Sequence, residues 1–148
     1  MTRRTLPCAI EPLIPHARGM CLLTRLLAAT DDTATTEALT RRDDLFATVD
    51  GIPAWVGIEW LAQSVAAWSG YRAEAQGESP ATGLLLGSRR YRSRLPTLPF
   101  DRRVRVEIHV DFVADNGVTQ VTGSLHWADD ADTLPLAEGS LTLYRPGG

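Results

Sequence analysis

The chain has 148 residues, a net charge of −3 and 44% hydrophobic residues. That size and composition are typical of one folded domain and exclude a disordered chain. The longest apolar run, Ala54–Tyr71, contains Glu59 and is therefore not a membrane span. The basic residues of Met1–Arg4 are not followed by an apolar signal region, so we expect a cytoplasmic protein. We expect neither a membrane nor a nucleic acid as partner.

One long helix separates two groups of predicted strands. Pro53 suits a first helical turn, and an almost unbroken apolar run follows it. After the helix the apolar period changes to two, and Asp115-Asn116-Gly117 is a strong hairpin signal. In chain order we predict strands at Met20–Ala29 and Thr33–Thr40 around a turn at Asp31-Asp32, an irregular segment at Arg41–Gly51, the helix from Trp55 to about Gln76, and strands at Thr82–Ser93, Val104–Phe112, Val118–Trp127 and Leu134–Tyr144.

This order of elements predicts a single α+β domain over residues 1–148. A helix that is apolar all round must be buried on most of its sides. A strongly curved antiparallel sheet wrapped around one central helix would bury it, which is the hot-dog architecture, although the order alone also fits other α+β folds. We interpret the aromatic side chains of the helix as core or subunit interface: Trp55, Trp60, Trp68 and Tyr71.

A single carboxylate, Glu59, lies inside the apolar helix. A carboxylate in an apolar setting usually finds a partner or takes up a proton, because burying its charge is unfavourable. Such groups cluster at functional sites, although structural networks also contain them. Gln63 lies one turn later on the same face and is expected to orient the carboxyl group. We interpret Glu59 as functional; the alternative is a buried acid bonded to backbone.

Three segments, taken in order, resemble the hot-dog 3-hydroxyacyl-acyl-carrier-protein dehydratases. Pro15–Arg25 (PHARGMCLLTR) is similar to the family's PHRxPFLLxDR motif, and Pro53–Gln63 (PAWVGIEWLAQ) is similar to its helix start, MPGxxxxExxAQ. Gly83–Tyr91 (GLLLGSRRY) fits the strand after the helix. The helix start looks most like the ApeP-like subgroup, which is linked to aryl polyene biosynthesis. The resemblance implies a lyase of fatty acid or polyene synthesis.

The resemblance also implies roles for individual residues. Glu59 would protonate the leaving hydroxyl, and the backbone N–H groups of Ala54 and Trp55 would hold the thioester carbonyl at the helix N-terminus. In this family the active site lies between two protomers, with a histidine from one and the acid from the other. The substrate brings its own phosphopantetheine on the carrier, so we expect no resident cofactor and no metal. Cys8 and Cys21 have no metal spacing and are expected to be reduced thiols.

The family's catalytic histidine is absent from its usual place. In the family it begins a His-Phe-Pro-Gly motif just before the helix, and this chain has Leu45-Phe46-Ala47-Thr48 there. His16 is the nearest candidate base by resemblance, but the family's histidine at that place is not its usual catalytic one. We therefore interpret His16 as ordering its loop, and keep it as a candidate base. His109 lies on the polar phase of its strand, and His126 carries no motif.

All fifteen basic residues are arginines, and seven of them lie between Arg89 and Arg105. Such a cluster is usually a solvated surface. The resemblance makes it a candidate docking site for an acidic carrier protein or a phosphopantetheine phosphate. The candidates are Arg89, Arg90, Arg92 and Arg94.

Three functions remain open. The first is a dehydratase, or a dehydratase subunit that works as a homodimer or with a second hot-dog subunit supplying the histidine. Unpaired sheet edges favour at least a dimer. The second is a hot-dog thioesterase, in which a helix carboxylate activates water without a histidine. The third is a catalytically impaired subunit or module that binds acyl chains or carrier protein.

Overall fold

The computed structural model describes residues 4–14, 20–78, 84–129 and 134–144, and of residues 84–86 it describes the backbone. The described elements are one long α-helix, one short 3-10 helix and ten strands. They are β1 (Cys8–Ala9), the 3-10 helix (Glu11–Leu13), β2 (Arg25–Ala29), β3 (Thr33–Leu39), β4 (Ile52–Pro53), α1 (Val56–Ala75), β5 (Leu84–Ser88), β6 (Arg92–Ser93), β7 (Thr97–Leu98), β8 (Arg103–Val113), β9 (Val118–Trp127) and β10 (Ala137–Tyr144).

Eight of these strands form one antiparallel sheet. Its order is β1-β2-β3-β8-β9-β10-β5, and β6 also pairs with β10. The long hairpin of β8 and β9 turns at Gly117, whose φ of 90° is a conformation that glycine adopts without strain. A separate pair, β4 with β7, places Ile52 opposite Leu98 just before the helix. The sheet confirms the alternating strands and the hairpin predicted from the sequence.

The core lies between α1 and the inner face of the sheet. The helix packs against β8, β3 and β10. Its Trp60 and Leu61 are fully buried, and so are Val104 and Val106 of β8 and Leu125 of β9. Burying side chains of this size contributes roughly 1.5–3 kcal/mol each, so this layer is a major source of stability. One helix wrapped by a large antiparallel sheet is the hot-dog fold, as predicted. None of the described helices is long and apolar enough to span a membrane.

Several element boundaries differ from the sequence prediction. The helix runs from Val56 to Ala75, within one residue of the prediction at each end, but Pro53 lies in the short strand β4 and not in the first helical turn. The first long strand begins at Arg25, and the segment Met20–Thr24 before it is bonded to a helix side chain. The stretch after the helix forms β5 and β6, and the last strand begins at Ala137.

The helix is also less enclosed than predicted. Trp55, at its N-terminus, has 54% of its surface exposed, and Glu59 is half-buried. Trp60, Trp68 and Tyr71 are buried, which confirms their interpretation as core. One face of the helix start therefore remains open in the single chain.

Candidate functional site

Glu59 and Gln63 lie one turn apart on α1 and are joined by a hydrogen bond. The Nε2 atom of Gln63 donates to Oε1 of Glu59 at 3.2 Å and to the carbonyl oxygen of Met20 at 2.7 Å. The Oε1 atom of Gln63 accepts the backbone N–H of Leu22 at 2.8 Å. Because the Gln63 side chain is fully buried, its position is fixed by the fold. It holds the half-buried carboxyl group of Glu59 in a defined place.

Two backbone N–H groups just before the helix differ in whether they already donate a hydrogen bond. Ala54 N–H donates to the carbonyl of Pro96 at 3.0 Å, so this donor is already occupied. Trp55 N–H forms no hydrogen bond with any described residue. The geometry therefore leaves Trp55 as the candidate donor to a thioester carbonyl. It lies at the N-terminus of α1, where the helix dipole favours negative charge.

Apolar side chains surround this helix start and face solvent. Phe46 packs edge-on against Trp55, with ring centroids 5.2 Å apart. Leu45, at the position of the family's histidine, is 62% exposed, and Val49 is 97% exposed. A cleft beside them is lined both by Leu45 and by Met20, whose carbonyl Gln63 binds. Grouped, exposed apolar side chains are typical of a surface that another protein covers.

The two described histidines lie on the far side of the sheet from Glu59. Val106, Ile108 and Leu125 point towards α1, and successive side chains of a strand point to opposite faces. His109 and His126 therefore project from the outer face. His16 lies outside the described residues. Within the described part of the chain, no histidine can act as a base beside Glu59.

His109 is exposed, as predicted, and is paired with acidic side chains. Its Nδ1 lies 2.6 Å from Asp111, and its Nε2 lies 3.4 Å from Asp32. The hydrogen bond with Asp111, followed by the charges of Asp111 and Asp32, raises the pKa of His109. His126 is largely buried beside Ser124 and Glu107. These contacts explain both histidines as parts of the polar outer face.

Four arginines of the cluster are exposed and form no ion pair within the described part of the chain, in contrast to most other arginines. Arg89, Arg90, Arg92 and Arg94 form no ion pair with any described carboxylate. Among the other described arginines, including Arg102–Arg105 of the same cluster, only Arg103 lacks such a pair. Three arginines of the cluster line a groove with Glu138 and Ser140 of β10. Their positive charge is therefore available to an anionic partner.

Sequence reasoning missed the role of Tyr91 at the helix start. Its hydroxyl donates to the carbonyl of Ala54 at 2.5 Å. Burial raises the pKa of Tyr91 to about 12, so the hydroxyl keeps its proton and remains a donor at neutral pH. The available signal was Gly57, because a glycine inside a helical pattern often marks a close approach. A Cβ at Gly57 would collide with the Tyr91 hydroxyl.

Comparison with known proteins agrees with this description. Residues 8–147 match the ApeP-like family, described as ApeP dehydratase. The structure is similar to a chain of the dehydratase heterocomplex ApeI:P from Xenorhabdus doucetiae, with a TM-score of 0.85 and 26% identity over 97% of this chain and 93% of that chain. No curated protein sequence matches the chain.

Two more distant structures show the fold alone. One is AziG from S. sahachiroi, with a TM-score of 0.63 and 14% identity over 90% of this chain and 98% of that one. The other is a hypothetical thioesterase with coenzyme A from Streptococcus pneumoniae TIGR4, with a TM-score of 0.59 and 9% identity over 82% and 84% of the two chains. The family match covers nearly the whole chain, and the chain belongs to the ApeP-like dehydratase family.

Proposed function

We propose that this chain is the acid-bearing subunit of a 3-hydroxyacyl-acyl-carrier-protein dehydratase that acts in polyene or fatty acid synthesis. The observation that carries the proposal is the position of Glu59. Buried Gln63 holds its carboxyl group on the open face of the helix start, whereas His109 and His126 lie behind the sheet. The chain thus offers an acid without a described histidine beside it.

The chemistry assigns one step to each group. A base removes the proton at C2 of the 3-hydroxyacyl thioester, and the electrons flow into the thioester carbonyl. Trp55 N–H stabilises the negative charge that develops on that oxygen. As the C2–C3 double bond forms, the C3–O bond breaks, and protonated Glu59 donates its proton to the departing hydroxyl. The products are the unsaturated thioester and water.

The base is proposed to come from a second hot-dog subunit. In the family, histidine and acid belong to different protomers of one site. A homodimer of this chain would present Leu45 where that histidine is expected, so each of its sites would lack the family's motif histidine. The exposed apolar side chains around Trp55 and Leu45 provide a surface for such a subunit. The related Xenorhabdus doucetiae structure is a dehydratase heterocomplex, which supports the same arrangement here.

The arginine cluster is proposed to bind the acyl carrier protein. The family resemblance implies an acidic carrier protein as partner. Arginines without an ion pair attract acidic surfaces, and a guanidinium group can bind phosphate through two N–H groups at once. Arg90 and Arg92 flank Tyr91, which reaches the helix start from the same strand connection. The groove that these arginines line lies on the outer face of the sheet, and Tyr91 points from the same segment to the helix start.

The test is a product assay on a 3-hydroxyacyl substrate attached to carrier protein. The purified chain is incubated alone and with a second hot-dog subunit that carries the His-Phe-Pro-Gly motif, and products are identified by mass spectrometry. We expect loss of water in the mixture and little in the chain alone. Release of free carrier thiol without loss of water would instead indicate a thioesterase. Binding of the acyl carrier without any turnover would indicate a binding module.

A further inference from the structure

Tyr91 fixes the peptide group that carries the Trp55 N–H. The carbonyl of Ala54 and the N–H of Trp55 belong to the same planar peptide unit, so fixing one fixes the direction of the other. The Tyr91 hydroxyl donates to that carbonyl at 2.5 Å, and Gly57 N–H donates to it at 3.1 Å. On the preceding peptide, Ala54 N–H is held by Pro96. The unit is thus restrained from both sides.

The same hydrogen bonds affect the strength of the Trp55 donor. A carbonyl that accepts hydrogen bonds is polarised, and the N–H of the same peptide becomes a stronger donor. The fold also leaves room for the tyrosine hydroxyl, because Gly57 lacks the Cβ that would collide with it. Leu125 lies against Gly57 from the sheet side and closes the contact.

We propose that Tyr91 is a positioning residue for the dehydration step: it aims and strengthens the Trp55 N–H that holds the thioester oxygen. This inference rests on the proposed function, because it acts through the donor assigned there. Tyr91 itself does not contact the substrate. A purely structural tyrosine would stabilise the fold without changing the Trp55 amide or the chemical step.

The first test reads the Trp55 amide directly in the chain alone. Labelling tryptophan with ¹⁵N gives one backbone amide signal for each of the four tryptophans, and Trp55→Phe identifies the signal of Trp55. Tyr91→Phe removes the hydroxyl and keeps the ring. We expect the Trp55 amide proton to move upfield in Tyr91→Phe. If the signal does not move, the inference is overturned, whatever the activity of the complex.

The test includes a control at a second tyrosine and an alternative change to the Tyr91 hydroxyl. Tyr71→Phe removes a hydroxyl of another buried tyrosine, which bonds to Arg4 near the other end of the helix, and should leave the Trp55 signal in place. If Tyr91→Phe does not fold, 3-fluorotyrosine labelling replaces it. Fluorination makes the hydroxyl a stronger donor, so the Trp55 amide should then move downfield; no movement overturns the inference.

The second test reads the chemical step in the active complex. Tyr91→Phe should lower kcat about 10-fold and change KM little, because an oxyanion donor acts mainly in the transition state. Tyr71→Phe should leave both unchanged. Unchanged kcat in Tyr91→Phe overturns the inference, whereas full activity of Glu59→Gln would overturn the proposed function instead. The two failures are thereby distinguished.

Discussion

Gln63 donates a hydrogen bond to Glu59 across one helical turn, with 3.2 Å between Nε2 and Oε1. The same amide binds the backbone of Met20 and Leu22. A buried side chain therefore satisfies the backbone of a segment that lies outside the sheet, and also sets the position of the acid. Under the proposed function, this one residue would couple folding to catalysis.

Replacing Gln63 with Leu should destabilise the chain and impair catalysis together. Leu fills a similar volume but leaves the Leu22 N–H and the Met20 carbonyl without their partner. We expect the free energy of unfolding to fall by about 2–4 kcal/mol, since each lost partner of a buried polar group costs about 1–3 kcal/mol. Urea denaturation measures the change. Gln76→Leu, at the exposed end of the helix, is the matched control; equal stability of the two variants would contradict this role.

Gly57→Ala should destabilise the fold, although alanine usually stabilises a helix by about 1 kcal/mol relative to glycine. The new Cβ would lie 2.6 Å from Cδ1 of Leu125 and would press on the Tyr91 hydroxyl. Overpacking of this kind costs about 1–3 kcal/mol. Gly87→Ala is the control, because a Cβ there meets no atom within 4 Å. A Gly57→Ala variant with a higher melting temperature than the parent would show that the contact is loose.

Reversing the charge of Arg90 and Arg92 should weaken use of the carrier-bound substrate. We expect KM for this substrate to rise about 10-fold, and the effect to shrink at high salt because exposed charges are screened. A short acyl-pantetheine thioester should be used equally well by both proteins. Arg103→Glu, at another exposed arginine that is unpaired in the described chain, is the control for a charge reversal elsewhere on the surface. If the charge reversal changes KM equally for the carrier-bound substrate and for the acyl-pantetheine thioester, the docking role is contradicted.

His109 should contribute to stability in acid and not to activity. Its pKa is raised in the folded chain by Asp111 and Asp32. A raised folded pKa gives a stabilisation that is complete below the unfolded value, near pH 6.5, and is lost as the pH rises through the folded value. His109→Asn should therefore be less stable than the parent at about pH 5, and equal to it at about pH 9. Urea midpoints across this range measure it. A difference that grows with pH would contradict the assignment.

Local patterns were sufficient to predict most of the fold. Alternation predicts β8 and β9, the Asp115-Asn116-Gly117 turn predicts their hairpin, and the apolar run predicts α1. The predicted helix, Trp55 to about Gln76, agrees with α1 within one residue at each end, whereas Pro53 lies in β4 because proline suits a short edge strand as well as a first helical turn. Met20–Thr24 was predicted as strand because its apolar residues resemble one, while the side chain that binds it is distant in sequence.

Only the part of the candidate site that lies on a single secondary-structure element could be predicted from the sequence. Glu59 and Gln63 share a helix, so their spacing predicts that they meet. The bond from Ala54 N–H to Pro96 and the bond from Tyr91 to Ala54 join parts of the chain about forty residues apart. Nothing in local spacing indicates such pairings. They depend on where the sheet places the connections from β5 to β6 and from β6 to β7.

An active site shared with a histidine-bearing hot-dog subunit is tested most directly by dehydration assays on matched mixtures of the two subunits. Loss of water is measured for the parent chain alone, the parent with the partner, Glu59→Gln with the partner, and the parent with a partner whose motif histidine is Ala. Glu74→Gln, on the same helix in an ion pair with Arg4, is the control.

A site shared by the two subunits predicts turnover only where Glu59 and the partner's motif histidine are both present, with losses of about 100-fold or more when either is replaced. Circular dichroism should show that Glu59→Gln remains folded. Ordinary turnover by the chain alone, or undiminished turnover by Glu59→Gln with its partner, would contradict it.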